Sequence, residues 1–172
     1  MTLIEVSISV TILVTILMGF CQALMGSSKA ARTAREASIA TDAARQMMET
    51  LRAENFSAVF AANNSSAADD PGGMTARLAA FDVPGLTPRT DDADGLCGQI
   101  IWPELDDGGN ATLREDTDES RLSMPRDLNG DGVVDNADHS GDYAILPVLV
   151  RVEWRGAATN GRVEFKTILS DF

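Results

Sequence analysis

Residues 1–25 read MTLIEVSISVTILVTILMGFCQALM, and positions 6–25 are twenty residues without a charge. At about 1.5 Å per residue, a helix of that length rises about 30 Å, the thickness of a bilayer's hydrocarbon core. Ser7, Ser9, Thr11 and Thr15 interrupt the apolar run. Their hydroxyls can bond back to carbonyls of their own helix, which makes them tolerable in lipid. The stretch is therefore expected to be a membrane-spanning helix. A cleavable secretory signal is the competing reading, and it needs a basic start, a shorter apolar core and a small-residue cleavage site. Here no Lys or Arg precedes Lys29, and Glu5 has the wrong sign.

Glu5 is the informative residue. A carboxylate at the centre of a membrane helix costs on the order of 2.5–3.5 kcal/mol, less near its end, and tends to mark a function. Two readings stay open. Glu5 reaches the lipid headgroups from the helix end, or it meets a positive group inside an assembly. The nearest such group is the α-amine of Met1, its own or a neighbour's.

From Gly26 the pattern becomes amphipathic. Ala30, Ala34, Ala37, Ala40, Ala44, Met47 and Leu51 recur at three- and four-residue spacing, which is one face of a helix. Arg32 with Glu36, and Arg45 with Glu49, are four apart on the remaining surface. This half is expected to continue the membrane half, to pack on a globular body and to end between Glu54 and Asn63. Gly19 and Gly26 are the points where it could loosen.

The run T-L-I-E-V at positions 2–6, followed by an apolar stretch and an Ala-rich amphipathic helix, resembles the mature N-terminus of type IV pilins and type II secretion pseudopilins. The resemblance implies that a prepilin peptidase creates Met1 as the new, N-methylated first residue. It implies that Glu5 neutralises the N-terminal amine of an adjacent subunit and sets helix register during assembly. It also implies an inner-membrane protein before assembly, then an extracellular or periplasm-spanning filament, either a homo-oligomer or a mixed one, built by a pilus or secretion assembly platform. Family members often carry a helix-breaking Pro within the apolar run, and this chain has none.

Three segments follow: 1–25 as membrane and filament-core helix, 26–62 as amphipathic helix, and 63–172 as an acidic head. Residues 1–62 are neutral overall, so the head carries the whole net charge of −12. That sign argues against a nucleic-acid partner, which rewards clustered Lys and Arg, and suits a solvated exterior or cation binding. The segment NNSSAADDPGG (63–73) is turn-rich and closes the helix. Residues 74–142 look irregular, with a short strand expected at 99–102. YAILPVLVRVEW (143–154) and RVEFKTILSDF (162–172) are rich in β-branched and aromatic residues and flank a turn-rich loop, so they read as a β-hairpin. Val150, Val152 and Trp154 would share one face, and Pro147 must lie at an edge, a bulge or a strand start. The fold class is α+β: a long N-terminal helix packed on a small antiparallel sheet, as the pilin resemblance also implies. Cys21 and Cys97 are read as free thiols, because a bridge would have to reach into the membrane segment.

The second motif is DLNGDGVVDNAD (127–138). It matches the calcium loop of an EF-hand, and more closely its dockerin variant. Hard cations take six to eight oxygens. Asp127, Asn129 and Asp131 offer side-chain oxygens at loop positions one, three and five. Gly132 permits the turn at six, Val133 offers its carbonyl at seven, Asp135 stands at nine and Asp138 at twelve. The standard hand has Glu at twelve, and the shorter Asp reaches with fewer oxygens. The flanks are not two amphipathic helices, so the loop is grafted between other elements. Ca²⁺ is the expected cofactor, with a structural role. TDDADG (90–95) lacks oxygen ligands at its later positions and reads as a turn.

No nucleophile motif and no phosphate-binding loop is present. His139, the one histidine, reads as a surface residue beside the loop, and acids such as Asp116 and Glu119 are ordinary in so acidic a chain. The chain is not expected to be an enzyme. A filament subunit is the first reading, with a major pilin, a minor pilin and a pseudopilin left undistinguished. A membrane-anchored, calcium-dependent adhesion or binding module is the rival from another class.

Overall fold

In a computed structural model, which describes residues 2–66, 79–107, 110–157 and 159–170, Leu3–Ala53 forms one helix of 51 residues, α1. No proline interrupts it, and the hydroxyls in its apolar half bond backwards. Ser7 Oγ donates to the Leu3 carbonyl at 3.0 Å, Ser9 to Glu5 at 2.9 Å, Thr11 to Ser7 at 2.8 Å and Thr15 to Thr11 at 2.9 Å. Each hydroxyl is thereby satisfied without a partner outside the helix. α1 is long and apolar enough to cross a membrane.

The helix ends where Glu54 turns extended, its N–H still donating to the Thr50 carbonyl at 3.2 Å. Asn55 then caps a second helix, α2 (Phe56–Asn63), by accepting from the Ser57 N–H at 3.1 Å. The expected end between 54 and 63 thus covers a break and a short restart.

The two halves of α1 face different surroundings. Leu3 to Met25 stays exposed, from 47% at Val6 and Val14 to 86% at Leu3 among its large apolar residues. Burial begins near Glu36, and Ala40, Ala44, Met48 and Leu51 are buried in the core. Ala30 and Ala34, expected on the packing face, remain exposed because the head starts one helical turn later.

The head is a four-stranded antiparallel sheet in the order β1-β2-β5-β6, with β1 Ala80–Phe81, β2 Gly98–Ile101, β5 Ile145–Trp154 and β6 Gly161–Ser170. A separate hairpin pairs β3 (Glu104–Asp107) with β4 (Asn110–Leu113). Strands β1, β3 and β4 fall in the stretch expected to be irregular apart from 99–102. ELDD is a poor strand sequence by propensity, and cross-strand pairing with NATL supplies what propensity does not.

β5 is the central strand. Its even positions Leu146, Val148, Val150, Val152 and Trp154 are all buried, as the alternation predicts. Pro147 and Leu149 are buried too; Leu149 is the last β5 residue paired with β2, and Pro147 lies beyond that pairing. Among the described residues Pro147 therefore has a strand neighbour, β6, on one side only, and a missing N–H is tolerated at such an edge. α1 packs against both β5 and β6. Phe60 of α2 meets Trp102 edge-on at 6.1 Å and Tyr143 at 6.5 Å, and the Trp102 indole donates to the Asn63 carbonyl at 2.8 Å. Cys97 is buried and Cys21 exposed, both as free thiols.

Trp154 and Gly161 face each other at the β5–β6 turn. A Cβ on Gly161 would fall inside the Trp154 ring, whose indole N–H also reaches the Glu36 carboxylate of α1 at 3.4 Å. Gly161→Ala is therefore expected to push Trp154 off the helix and to cost about 1–3 kcal/mol. A thermal melt of the variant checks this, and an unchanged midpoint would contradict it.

Candidate metal centre

The 127–138 loop is tied at one end to β5 and at the other to β4 of the separate hairpin. Leu128 is fully buried, and its carbonyl accepts from the N–H groups of Ala144 (2.8 Å) and Ile145 (3.0 Å) at the start of β5. At the far end His139 N–H donates to the Leu113 carbonyl of β4 at 2.8 Å, and Leu113 N–H donates to the Asp138 carboxylate at 3.1 Å.

Within the loop the side chains wind the backbone. Both oxygens of Asp127 are engaged, one by the Gly130 N–H at 2.6 Å and one by the Gly132 N–H at 2.8 Å. Asn129 accepts from Asp131 N–H, and Asp131 from Val133 N–H. Gly130 and Gly132 have φ of 83° and 86°, a conformation that glycine adopts without a Cβ clash. Asp138 accepts from the Ser140 N–H and hydroxyl. Among the described residues no Lys or Arg forms an ion pair with Asp127, Asp131 or Asp138. Val133 is 56% exposed.

Asp135 turns the other way, toward the interior. Its Oδ1 accepts from Ala137 N–H at 2.7 Å and lies 3.2 Å from His139 Nε2. The Ala137 N–H and then the His139 ring hold its carboxyl below the ordinary Asp range. His139 is 5% exposed, so the surface placement expected from the sequence is corrected. Its Nδ1 is 3.0 Å from Asp142 Oδ1, and its Nε2 is 3.9 Å from Glu115 Oε2. Burial pulls the imidazole pKa down, but the bonds to Asp135 and Asp142 and the charge of Glu115 outweigh it, and the net shift is upward.

Glu115 is the residue that sequence reasoning missed. It is 1% exposed. Its Oε1 accepts from the N–H groups of Leu128 (2.6 Å) and Asn129 (3.2 Å), and its Oε2 from the Asp135 N–H (3.2 Å). One buried carboxylate thus stitches the two arms of the loop together. A signal existed: Ala111, Leu113 and Glu115 share the buried parity that β4 sets, while the flanking Arg114 and Asp116 pair with each other outside. Glu119 is likewise held by Arg121, so Asp116 and Glu119 each bind their own arginine.

Glu115→Gln keeps the shape but turns an amide NH₂ toward backbone donors. The variant is expected to lose about 1–3 kcal/mol of stability, read from chemical denaturation. Wild-type stability in that variant would show that the charge is dispensable.

Among the described residues, Glu115, Asp135 and His139 form the group of three that could hold a metal ion, with ligand atoms all within 4.8 Å of one another. Of the loop positions expected to bind Ca²⁺, Asp135 alone belongs to it. Asp127, Asn129, Asp131 and Asp138 are engaged with loop N–H groups or with β4. In the 90–95 turn, Asp92 and Asp94 accept from nearby N–H groups and join no such group.

At the other end of the molecule, the Glu5 carboxylate accepts from the Thr2 N–H at 3.4 Å, across the first turn of α1. An acid there faces the positive end of the helix dipole. Met1, the other position expected to act in assembly and processing, lies outside the described residues.

The fold and these sites define an α+β protein with an exposed apolar helix half and a Glu115, Asp135 and His139 group that could hold a metal ion. Comparison with models of protein families, with curated proteins and with solved structures finds no match for the chain.

Proposed function

We propose that this chain is a structural subunit of a type IV pilus-like filament, held in a membrane by α1 before assembly and packed through the same helix half afterwards. The observation that carries the reading is the contrast along one continuous helix. Residues 3–25 expose apolar side chains on every face, while residues from Glu36 onward pack on the head. So large an apolar surface calls for a cover, either lipid or other copies of itself. Glu5, placed at the start of that surface, suits pairing with the Met1 amine of a neighbour. A prepilin peptidase and an assembly platform are the processing partners this reading calls for, and the acidic head would face outward.

The head is read as calcium-stabilised. Asp127, Asn129, Asp131, the Val133 carbonyl, Asp135 and Asp138 would hold the ion. The left-handed glycines at 130 and 132, and Asp127, Asp131 and Asp138, which have no Lys or Arg ion pair among the described residues, fit a hard cation. Bound Ca²⁺ supplies positive charge and links the arms of a loop whose centre is exposed.

The rival reading, a membrane-anchored calcium-dependent binding module, is favoured by one observation: Glu5 has a local use as a cap on its own helix. Mechanical shearing of producing cells, followed by immunoblotting, separates the two. Chain recovered in the sheared extracellular fraction supports a filament subunit; abundant recovery means a major pilin, and trace copies mean a minor pilin or pseudopilin. Recovery confined to the membrane, with no assembled form, would refute the filament reading.

A further inference from the structure

We propose that Glu115, Asp135 and His139 form a second cation site, for a borderline divalent ion of the Zn²⁺ class, distinct from the oxygen-only loop and sharing Asp135 with it. The inference does not depend on the filament reading.

The ligand set argues for the class of ion. Calcium and magnesium are hard cations that take oxygen, whereas an imidazole beside two carboxylates suits zinc and its transition-metal neighbours. Zinc bonds to nitrogen and to carboxylate oxygen are both about 2.1 Å, so two tetrahedral ligands stand about 3.4 Å apart. The His139 Nε2 distances to Asp135 Oδ1 and Glu115 Oε2, 3.2 and 3.9 Å, bracket that value.

A second observation points the same way. His139 Nδ1 lies 3.0 Å from the Asp142 carboxylate, on the side of the ring away from the cluster. An Nδ1–H donated to a carboxylate fixes the tautomer and leaves the Nε2 lone pair for a metal, which is the usual support for a histidine ligand. A proton on Nε2 can bridge to Asp135 Oδ1, and a divalent cation would take the place of that proton between Nε2, Asp135 Oδ1 and Glu115 Oε2. Glu115 has capacity for the bond, because its carboxylate offers about four lone-pair directions and three are taken by Leu128, Asn129 and Asp135 N–H groups. The imidazole and the Glu115 carboxylate are buried, and the Asp135 side chain, 44% exposed, leaves the cluster open to an entering ion from one side.

Asp135 couples the two sites. Its Oδ1 faces His139, and its second oxygen remains for the loop ion at position nine. The ions can therefore share this carboxylate, with Zn²⁺ joining the exit of β4 to the end of the loop.

The test uses the full-length chain in detergent with Ca²⁺ in excess. Calorimetric titration with ZnCl₂ is expected to show one saturable site per chain. X-ray absorption at the zinc edge is expected to show one imidazole among oxygen ligands. His139→Gln should weaken zinc binding by about tenfold or more while Ca²⁺ binding persists. If that variant does not fold, the wild-type absorption spectrum decides alone. An all-oxygen shell, or no saturable zinc binding, would overturn the proposal. His139 would then be a partner that steadies Asp135 for the loop ion.

Discussion

Glu5→Leu is expected to abolish recovery of the chain in sheared filaments while leaving it in the membrane. Leucine is more apolar than glutamate, so the substitution favours insertion, and loss of the filament cannot be put down to a weaker anchor. The companion variant, Glu5→Gln, separates charge from capping. Glutamine can still accept the Thr2 N–H bond that Glu5 accepts at 3.4 Å, because Glu and Gln both serve at this helix position. It cannot neutralise an amine. Glu5→Gln is therefore expected to fail in assembly as Glu5→Leu does. Filaments at wild-type level with Gln, and none with Leu, would mean that the cap is what matters. Wild-type filaments with both would remove Glu5 from assembly altogether.

Calcium removal gives the second large effect. An ion bound to the folded chain at about a hundred times its dissociation constant adds about 2.7 kcal/mol. In a chain of this size that corresponds to about 5–10 °C in the melting midpoint. Chelation of the full-length protein in detergent should lower the midpoint by that order, and restored Ca²⁺ should recover it. Asp131 is exposed, and one of its oxygens accepts from the Val133 N–H. Asp131→Ala should therefore abolish the response to chelator with little change in the calcium-free midpoint. A wild-type midpoint that ignores chelation would contradict the calcium reading of the loop.

The α+β layout was legible because two periods dominate the chain. Charge-free positions from 6 to 25 and the alternation around Val150 to Trp154 each point to one element. Where the helix begins to pack was not legible. Ala30 and Ala34 continue the same period as Ala40 and Ala44, and the head, not the period, decides which are covered. Strands β3 and β4 escaped because ELDD and NATL owe their form to pairing. The buried centre escaped for a related reason. Glu115 and His139 are 24 positions apart, and the loop motif draws the eye to oxygen ligands between them. A single histidine carries no period of its own. Its burial follows from the convergence of β4, the loop and Asp142, which is a tertiary fact.

The exposed half of α1 is the element on which the account rests. Cryo-electron microscopy of filaments sheared from producing cells is the most direct test. Residues 3–25 of neighbouring copies are expected to pack along the filament axis, Glu5 beside the first residue of another copy, with the 127–138 loop on the outside. Filaments that contain no copy of this chain, or ones in which these helices lie at the periphery away from each other, would contradict that expectation.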